Sequence, residues 1–540
     1  MTVPTRLLDL TRRAGRLLVL PLLMAAGSAQ ALSPADALTL AAGQGDERVE
    51  TLNRLVTEAD PRAVALIEAL ADGSVQVQGE QVLILAADGS ATDAVTGAAV
   101  TPDGTGEDAV VNNRMRGALA TALAGRALFG TDETAQREAA RLIQRGNFDE
   151  PDAAQLPLID KALQGTLHDA ARADLQRARA AILLSSEDTA QRLAAAQALS
   201  GARDPSLKPV LERQLQAEQD PAAKAAIKAA LSALDRSLMI SSGLSQAFTG
   251  ISLGSILLLA ALGLAITYGL MGVINMAHGE LIMIGAYATW LVQVFFRQHL
   301  PGAFDWYLLV AMPVAFATSA LVGAAMERSV IRFLYGRPLE TLLATWGISL
   351  VLMQAVRSLF GAQNVGVENP SWMSGSITLM GQLTLPWNRV LIIVFAALVL
   401  LGVALLIGKT RLGLFVRGVT QNRPIASCMG VNTARIDTWA FALGSGIAGL
   451  AGCALSQIGN VGPDLGQSYI VDSFMVVVLG GVGQLAGTVY AALGLGLLNK
   501  FIEGWAGAVL AKIAVLVFII VFIQKRPQGI FAQKGRSAEA

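Results

Sequence analysis

Along the chain the mixture of apolar and polar positions changes character once. From about residue 33 to 236, apolar residues alternate with many Asp, Glu, Arg and Gln. From about Leu244 the polar positions thin out, leaving apolar runs of roughly 18–25 residues, long enough for a helix to cross a bilayer. Reading spans from there gives nine segments, near 244–270, 274–296, 306–326, 340–360, 389–408, 438–458, 470–484, 486–503 and 507–523. The seventh is short and runs into Gly480-Gly481-Val482-Gly483, which predicts a half-helix or a tight membrane hairpin. The expected fold is all-α: a polytopic bundle of eight or nine spans preceded by a mostly helical polar domain.

Within that polar domain Asp-Pro recurs at Asp60-Pro61, Asp204-Pro205 and Asp220-Pro221. Asp is a good N-cap and Pro suits the first helical turn, so each pair predicts a helix start. Between Thr189 and Leu234 the pattern reads helix, Asp-Pro turn, helix, Asp-Pro turn, helix, similar to a short HEAT-like array. Residues 74–100 differ: Val75, Val77, Val82, Ile84 and the Asp88-Gly89 pair predict one small β-hairpin. His168 reads as a surface helix residue, and docking or scaffolding is the role this domain suggests.

The beginning of the chain places that domain. Arg6, Arg12, Arg13 and Arg16 precede the short apolar stretch Leu17 to Ala26, and Ala29-Gln30-Ala31 has the small-x-small form that a signal peptidase accepts. Residues 1–31 are therefore expected to be a secretory signal. Residues 32–236 are then expected to form a periplasmic domain, 244–523 a transmembrane domain and 524–540 a cytosolic tail. The basic residues test this independently. Arg328, Arg332 and Arg337 fall in one loop, Lys409, Arg411, Arg417, Arg423 and Arg435 in another, and Lys525, Arg526, Lys534 and Arg536 in the tail. By the positive-inside rule all three are cytosolic, in a bacterial inner membrane and with lipid as immediate surroundings.

Composition narrows the function further. Only 15% of the 540 residues are charged and mean hydropathy is +0.51, too apolar for an ordinary globular enzyme. Net charge is zero, so no basic field argues for nucleic acid. Cys428 and Cys453 both lie in the membrane half and read as small buried hydrophobes, neither a disulfide framework nor a metal site. No clustered His, Cys or acid triad suggests catalysis.

Three runs carry candidate chemistry. In Gly269 to Glu280, followed by Gly285-Ala286-Tyr287, an apolar helix is interrupted by Asn275, His278 and Glu280. A charged group inside a span costs at least about 2.5 kcal/mol. Such a group faces a wet path or an interhelical partner, unless the run is a cytosolic turn and Glu280 is merely interfacial. Ser349 and Gln354 are further pathway candidates by polarity. Gly480, Gly481, Gly483 and Gly487 suit close helix packing or a membrane break better than a dinucleotide loop, because they lie inside apolar spans. Gly402 to Thr410 imitates a phosphate loop, but five residues separate its glycines where four are needed, and it ends a membrane helix.

The third run, Arg411-Leu412-Gly413 through Gly430-Val431-Asn432, interleaves Arg417 and Arg423 with Leu414, Val416, Val419, Ile425 and Met429. A short amphipathic helix there suits a partner's groove. Pro424 predicts a helix start, which would shorten the contact element to about 424–430.

The Asn275-Met276-Ala277-His278-Gly279…Gly285-Ala286-Tyr287 run resembles the signature of the branched-chain amino-acid class of ABC importer permeases. Val476 to Gly483 with Gly487, and Arg526-Pro527-Gln528-Gly529-Ile530-Phe531, resemble it too, so the likeness covers essentially residues 244–532. Gly336 to Gly347 and the exported extension resemble the urea-transport branch. The resemblance implies a non-enzymatic import subunit for urea, or alternatively for branched-chain amino acids or short amides. It also implies a second homologous permease, a periplasmic solute-binding protein and cytosolic ATPases that carry the ATP and magnesium. Residues Arg411, Arg417, Arg423, Pro424, Met429 and Gly430 would then contact the ATPase.

Overall fold

The computed structural model describes residues 32–531, apart from 59, 87–89, 102–104 and 380–382. The expected signal at 1–31, the Asp88-Gly89 turn and the tail beyond Phe531, with Lys534 and Arg536, lie outside the described residues. The chain divides into two compact units after Leu238.

The first unit opens with three helices, α1 (Pro34–Ala42), α2 (Gly45–Glu58) and α3 (Pro61–Ala71). A sheet follows: β1 (Val75–Gln78), β2 (Gln81–Leu85), β3 (Ala91–Asp93), β4 (Ala99–Val100) and β5 (Glu107–Asp108). Helices α4 (Asn113–Ala127), α5 (Glu133–Asp149), α6 (Leu156–Gln164), α7 (Asp169–Leu183), α8 (Thr189–Leu199) and α9 (Leu207–Ala217) complete it. Leu40, Leu52, Leu66, Ile67 and Leu119 pack one core beneath β1 and β2. Ala196, Leu199, Leu207, Leu211 and Ile227 pack another.

Two of the three Asp-Pro pairs open helices as expected. Asp60 accepts the Arg62 N–H at 3.0 Å at the start of α3, and Asp220 accepts those of Ala222 and Ala223 at 2.9 and 2.8 Å. Asp204 instead accepts the Ser206 N–H and hydroxyl, making a turn after which α9 starts at Leu207. The expected hairpin is a five-stranded antiparallel sheet of order β4-β3-β2-β1-β5. The predicted part is right: Val77 pairs with Val82 and Val75 with Ile84, across a turn at Gly79, whose φ is 63°. Strands β3 to β5 are two or three residues long and rich in Ala, Thr, Asp and Glu, so they show no alternation to read.

One buried ion pair ties the last elements of this unit together. Glu218 is 2% exposed and accepts Arg192 Nε at 2.7 Å and Nη2 at 2.9 Å, as well as the backbone N–H groups of Gln219 and Asp220. The Arg192 hydrogen bonds, then the Asp220 N–H, outweigh burial and hold the carboxyl down at about 2.

The second unit begins within α10 (Pro221–Met271) and continues through α11 (His278–His299), α12 (Tyr307–Ser329), α13 (Pro338–Phe360) and α14 (Trp387–Lys409). Two short helices follow, α15 (Arg411–Gln421) and α16 (Arg423–Cys428). Then come α17 (Thr433–Ser456), α18 (Leu465–Gly480), α19 (Leu485–Ala506) and α20 (Ala508–Lys525). Among the described residues eight helices are long and apolar enough to cross a membrane. The expected seventh segment, α18, is a 16-residue apolar helix, shorter than the rest.

Helices α10, α11 and α17 form the centre, and small residues let their backbones touch. A Cβ added at Gly285 of α11 would collide with the Gly449 backbone, and one at Gly452 would meet Ile282 and Ala286. Gly444 abuts Gly263 of α10, Gly449 abuts Ala315 and Ser319 of α12, and Gly323 abuts Ser445. Helix α17 thus touches three neighbours through Gly444, Gly449 and Gly452. In lipid, where burial of apolar groups against a neighbour brings no hydrophobic gain, this close approach supplies the packing energy. Outer helices differ: α14 and α20 bury only 17% of their most apolar stretches.

Two predictions follow from this packing. Glu218→Gln in the fragment 32–238 should lower its melting temperature at pH 7. Because the folded pKa of about 2 lies below an unfolded value of about 4.3, that stabilisation is present above pH 4.3 and lost as pH falls towards 2. The gap between wild type and variant should therefore close over that window. Gly449→Val in the whole protein should cost about 1–3 kcal/mol or prevent folding. Gly402→Val, at a position with open space around it, should stay within about 0.5 kcal/mol; detergent melts of both variants check this.

Candidate solute pathway and coupling surface

Helix α10 stops at Met271, and Gly272 turns the chain with φ of 64° into a non-helical stretch that lasts until α11 begins at His278. Its backbone is held by side chains. Asn275 accepts the Ala277 N–H at 3.1 Å, and Thr345 of α13 accepts the Met276 N–H at 3.1 Å. His278 donates from Nε2 to the Ala260 carbonyl of α10 at 2.9 Å. Ser349 of α13 lies close to the Glu280 carboxylate.

Asn275, His278, Glu280 and Ser349 are all buried, with exposures of 4% or less. Asn275 Nδ2, His278 Nδ1, Glu280 Oε2 and the Tyr287 hydroxyl have no hydrogen-bond partner in the structure. Tyr287 stacks on Phe360 with centroids 4.9 Å apart. This buried seam therefore offers a carboxylate oxygen, an amide N–H and a phenol to a hydrogen-bonding solute or to water. The expected path residue Gln354 does not join it. It follows Ser349 by five residues, about 140° round the helix, and is exposed. Thr341 and Thr345 were missed, although they precede Ser349 at four-residue spacing and complete a hydroxyl stripe on the buried face of α13. Among the described residues no group of His, Cys, Asp or Glu is arranged to hold a metal ion.

The segment from Arg411 to Asn432, expected to carry a short amphipathic helix, is helical almost throughout. Thr410 caps α15 by accepting the Gly413 N–H, and Gly413 must be small because a Cβ would strike the Ile407 backbone. Pro424 stands in the first turn of α16, capped by Asn422, so the expected helix start is present. Ahead of it stands α15, a second and longer amphipathic helix. Val416 and Val419 are buried, whereas Leu414, Phe415, Ile425 and Met429 are exposed beside Arg411 and Arg417. Gly430 leaves α16 with φ of 82°. Cys428, expected to be buried, is exposed at its end, while Cys453 is buried.

Arg423 differs from Arg411 and Arg417. It pairs with Asp437 of α17, and its guanidinium lies 4.9 Å over the ring of Tyr335. Tyr335 in turn donates to Glu327 Oε1 at 3.0 Å, and Glu327 Oε2 accepts Thr438 Oγ1 at 2.6 Å and Arg332 at 3.3 Å. Burial pushes the Tyr335 phenol up from its ordinary value. No local motif in the sequence joins Glu327, Tyr335, Asp437 and Thr438.

The glycines near α18 make both a break and a contact. Gly480 ends α18, Gly481 and Gly483 have φ of 99° and 75°, and a Cβ on Gly480 or Gly487 would strike the other's backbone. The chain after α20 returns here: the Ile530 N–H donates to the Leu479 carbonyl at 2.8 Å, and that of Phe531 to the Gly480 carbonyl at 3.3 Å. These bonds satisfy carbonyls that a helix end otherwise leaves open. Lys409, from the phosphate-loop imitation, is the last residue of the continuous helix α14.

Residues 246–524 match the family described as "Branched-chain amino acid transport system / permease component", slightly more than half of the chain. The chain belongs to this family. It is a transport permease component and not an enzyme. Relatives include the high-affinity branched-chain amino acid transport system permease protein LivH of Escherichia coli, 28% identical over 300 residues, which are 54% of this chain and 96% of LivH. The corresponding protein BraD of Pseudomonas aeruginosa is 27% identical over 296 residues, with the same coverage of both chains. The ribose import permease protein RbsC of Escherichia coli is 26% identical over 202 residues, 36% of this chain and 60% of RbsC. No solved structure matches the chain.

Proposed function

We propose that the chain is the permease subunit of an ATP-driven importer, oriented with the unit before Leu238 outside the cytosol and with α15, α16 and the end of α20 facing the cytosol. The observation that carries this reading is the amphipathic α15–α16 surface, in a chain whose membrane half belongs to a transport family. Arg411, Arg417, Ile425 and Met429 are exposed on it as a mixed cationic and apolar patch, suited to a protein groove. A cytosolic ATPase seated there would drive alternating access, a second permease would complete the path, and a solute-binding protein would deliver from outside. The positive-inside distribution of Arg and Lys supports the orientation.

For the solute, branched-chain amino acids are the reading that the names of the relatives support. Glu280 would then meet the solute's ammonium. Urea is the second reading, and one observation favours it: the described residues of the seam, Asn275, Glu280, Tyr287, Thr345 and Ser349, bring an amide, hydroxyls, a phenol and an acid but no Lys or Arg to neutralise a solute carboxylate. The run Gly336 to Gly347 points the same way. So does the N-terminal unit, which lies outside residues 246–524 that match the family.

Uptake of labelled leucine and labelled urea in cells lacking this chain tests the proposal. Loss of leucine uptake with urea uptake intact is the expected result. Loss of urea uptake alone would install the second reading, and unchanged uptake of both, with short amides also unaffected, would overturn the importer.

A further inference from the structure

We propose that Asp437 and Glu327 are positioning residues that lock α16 to the adjoining ends of α12 and α17. A displacement imposed on α15 and α16 then reaches the helices around the break at Gly272–Ala277 as a unit. The proposal rests on the reading that a partner seats on α15–α16.

The argument begins with where the two acids stand. Asp437 is in the second turn of α17 and 3% exposed, near the helix end whose dipole favours a negative charge. Glu327 is fully buried in the last turn of α12, where the dipole opposes an acid. A carboxylate in that place persists only because Thr438, Arg332 and Tyr335 all donate to it. The cluster holds two carboxylates, Glu327 and Asp437, and two guanidinium groups, Arg332 and Arg423, so its charges cancel.

Only Arg423 comes from the candidate partner-facing segment. Its withdrawal would leave Asp437 buried without its cation and would strip the cation from the face of Tyr335, both unfavourable. Helix α16 therefore cannot move freely of α17, nor, through Tyr335 and Thr438, of α12. Both helices meet α11 or its contacts through glycine: Gly449 touches α11 at Gly285 and α12 at Ala315, and Gly452 touches Ile282. In addition, Ser319 of α12 donates to the Leu281 carbonyl of α11 at 2.9 Å. The connection from Arg423 to the start of α11 is thus made of ion pairs, hydrogen bonds and backbone contacts throughout.

The test uses the whole transporter, assembled with its ATPase subunits in proteoliposomes, and reads solute moved per ATP hydrolysed alongside subunit recovery. Asp437→Asn keeps the shape and removes the charge; Thr438→Val removes one donor to Glu327. The expected result is retained assembly and ATP hydrolysis with solute per ATP reduced roughly five-fold or more, the scale of ordinary coupling energies. Asp437→Glu should restore most of it. An unchanged ratio in assembled Asp437→Asn would overturn the proposal. Should that variant not assemble, an unchanged ratio in Thr438→Val would overturn it equally. A wild-type chain that recruits no ATPase would overturn the underlying reading instead.

Discussion

The second unit depends on the contact between α17 and its three neighbours, where glycine brings backbone against backbone. Helices surrounded by lipid gain little from hiding apolar side chains from one another, so stability must come from dispersion at close range and from satisfied polar groups. Gly263, Gly285, Gly323, Gly444, Gly449 and Gly452 provide that range. Their tight fit leaves α10, α11, α12 and α17 few alternative ways to pack, and it is on this rigid centre that less regular features can be hung.

Two such features matter. One is the break between α10 and α11, whose open backbone groups are recovered by Asn275 and Thr345. Irregular backbone at a helix junction is sustainable where side chains supply the missing partners. The price there is a set of buried polar atoms with none, on Asn275, His278, Glu280 and Tyr287. The other is α15–α16, which keeps apolar side chains exposed while Arg423 reaches back into the bundle. The proposed function joins the two: a partner acting on the second feature changes access to the first.

Much of this was legible in the residues. Span lengths gave the helices, because apolar runs of bilayer length have few other uses, and the shortness of the seventh was visible from Gly480 onward. The Asn275 to Tyr287 run announced a buried polar site, and Ser349 belonged to it. What failed did so for identifiable reasons. Polarity alone points to Gln354, but helical phase turns it away from Ser349. Arg423 looked like Arg411 and Arg417 because local sequence cannot show that Asp437 and Tyr335 converge on it. The strands β3, β4 and β5 owe their existence to pairing with β2, β3 and β1 in turn, not to their own residues.

The central claim is that force from a nucleotide-hydrolysing partner enters through α15–α16. Met429 is 79% exposed on that surface. A photo-crosslinking side chain placed at Met429, in membranes that contain the whole transport system, tests the claim most directly. The account predicts an adduct with a cytosolic ATPase subunit that weakens when Arg411 and Arg417 are reversed in charge. An adduct with lipid alone, or with a protein on the exported side, would contradict it.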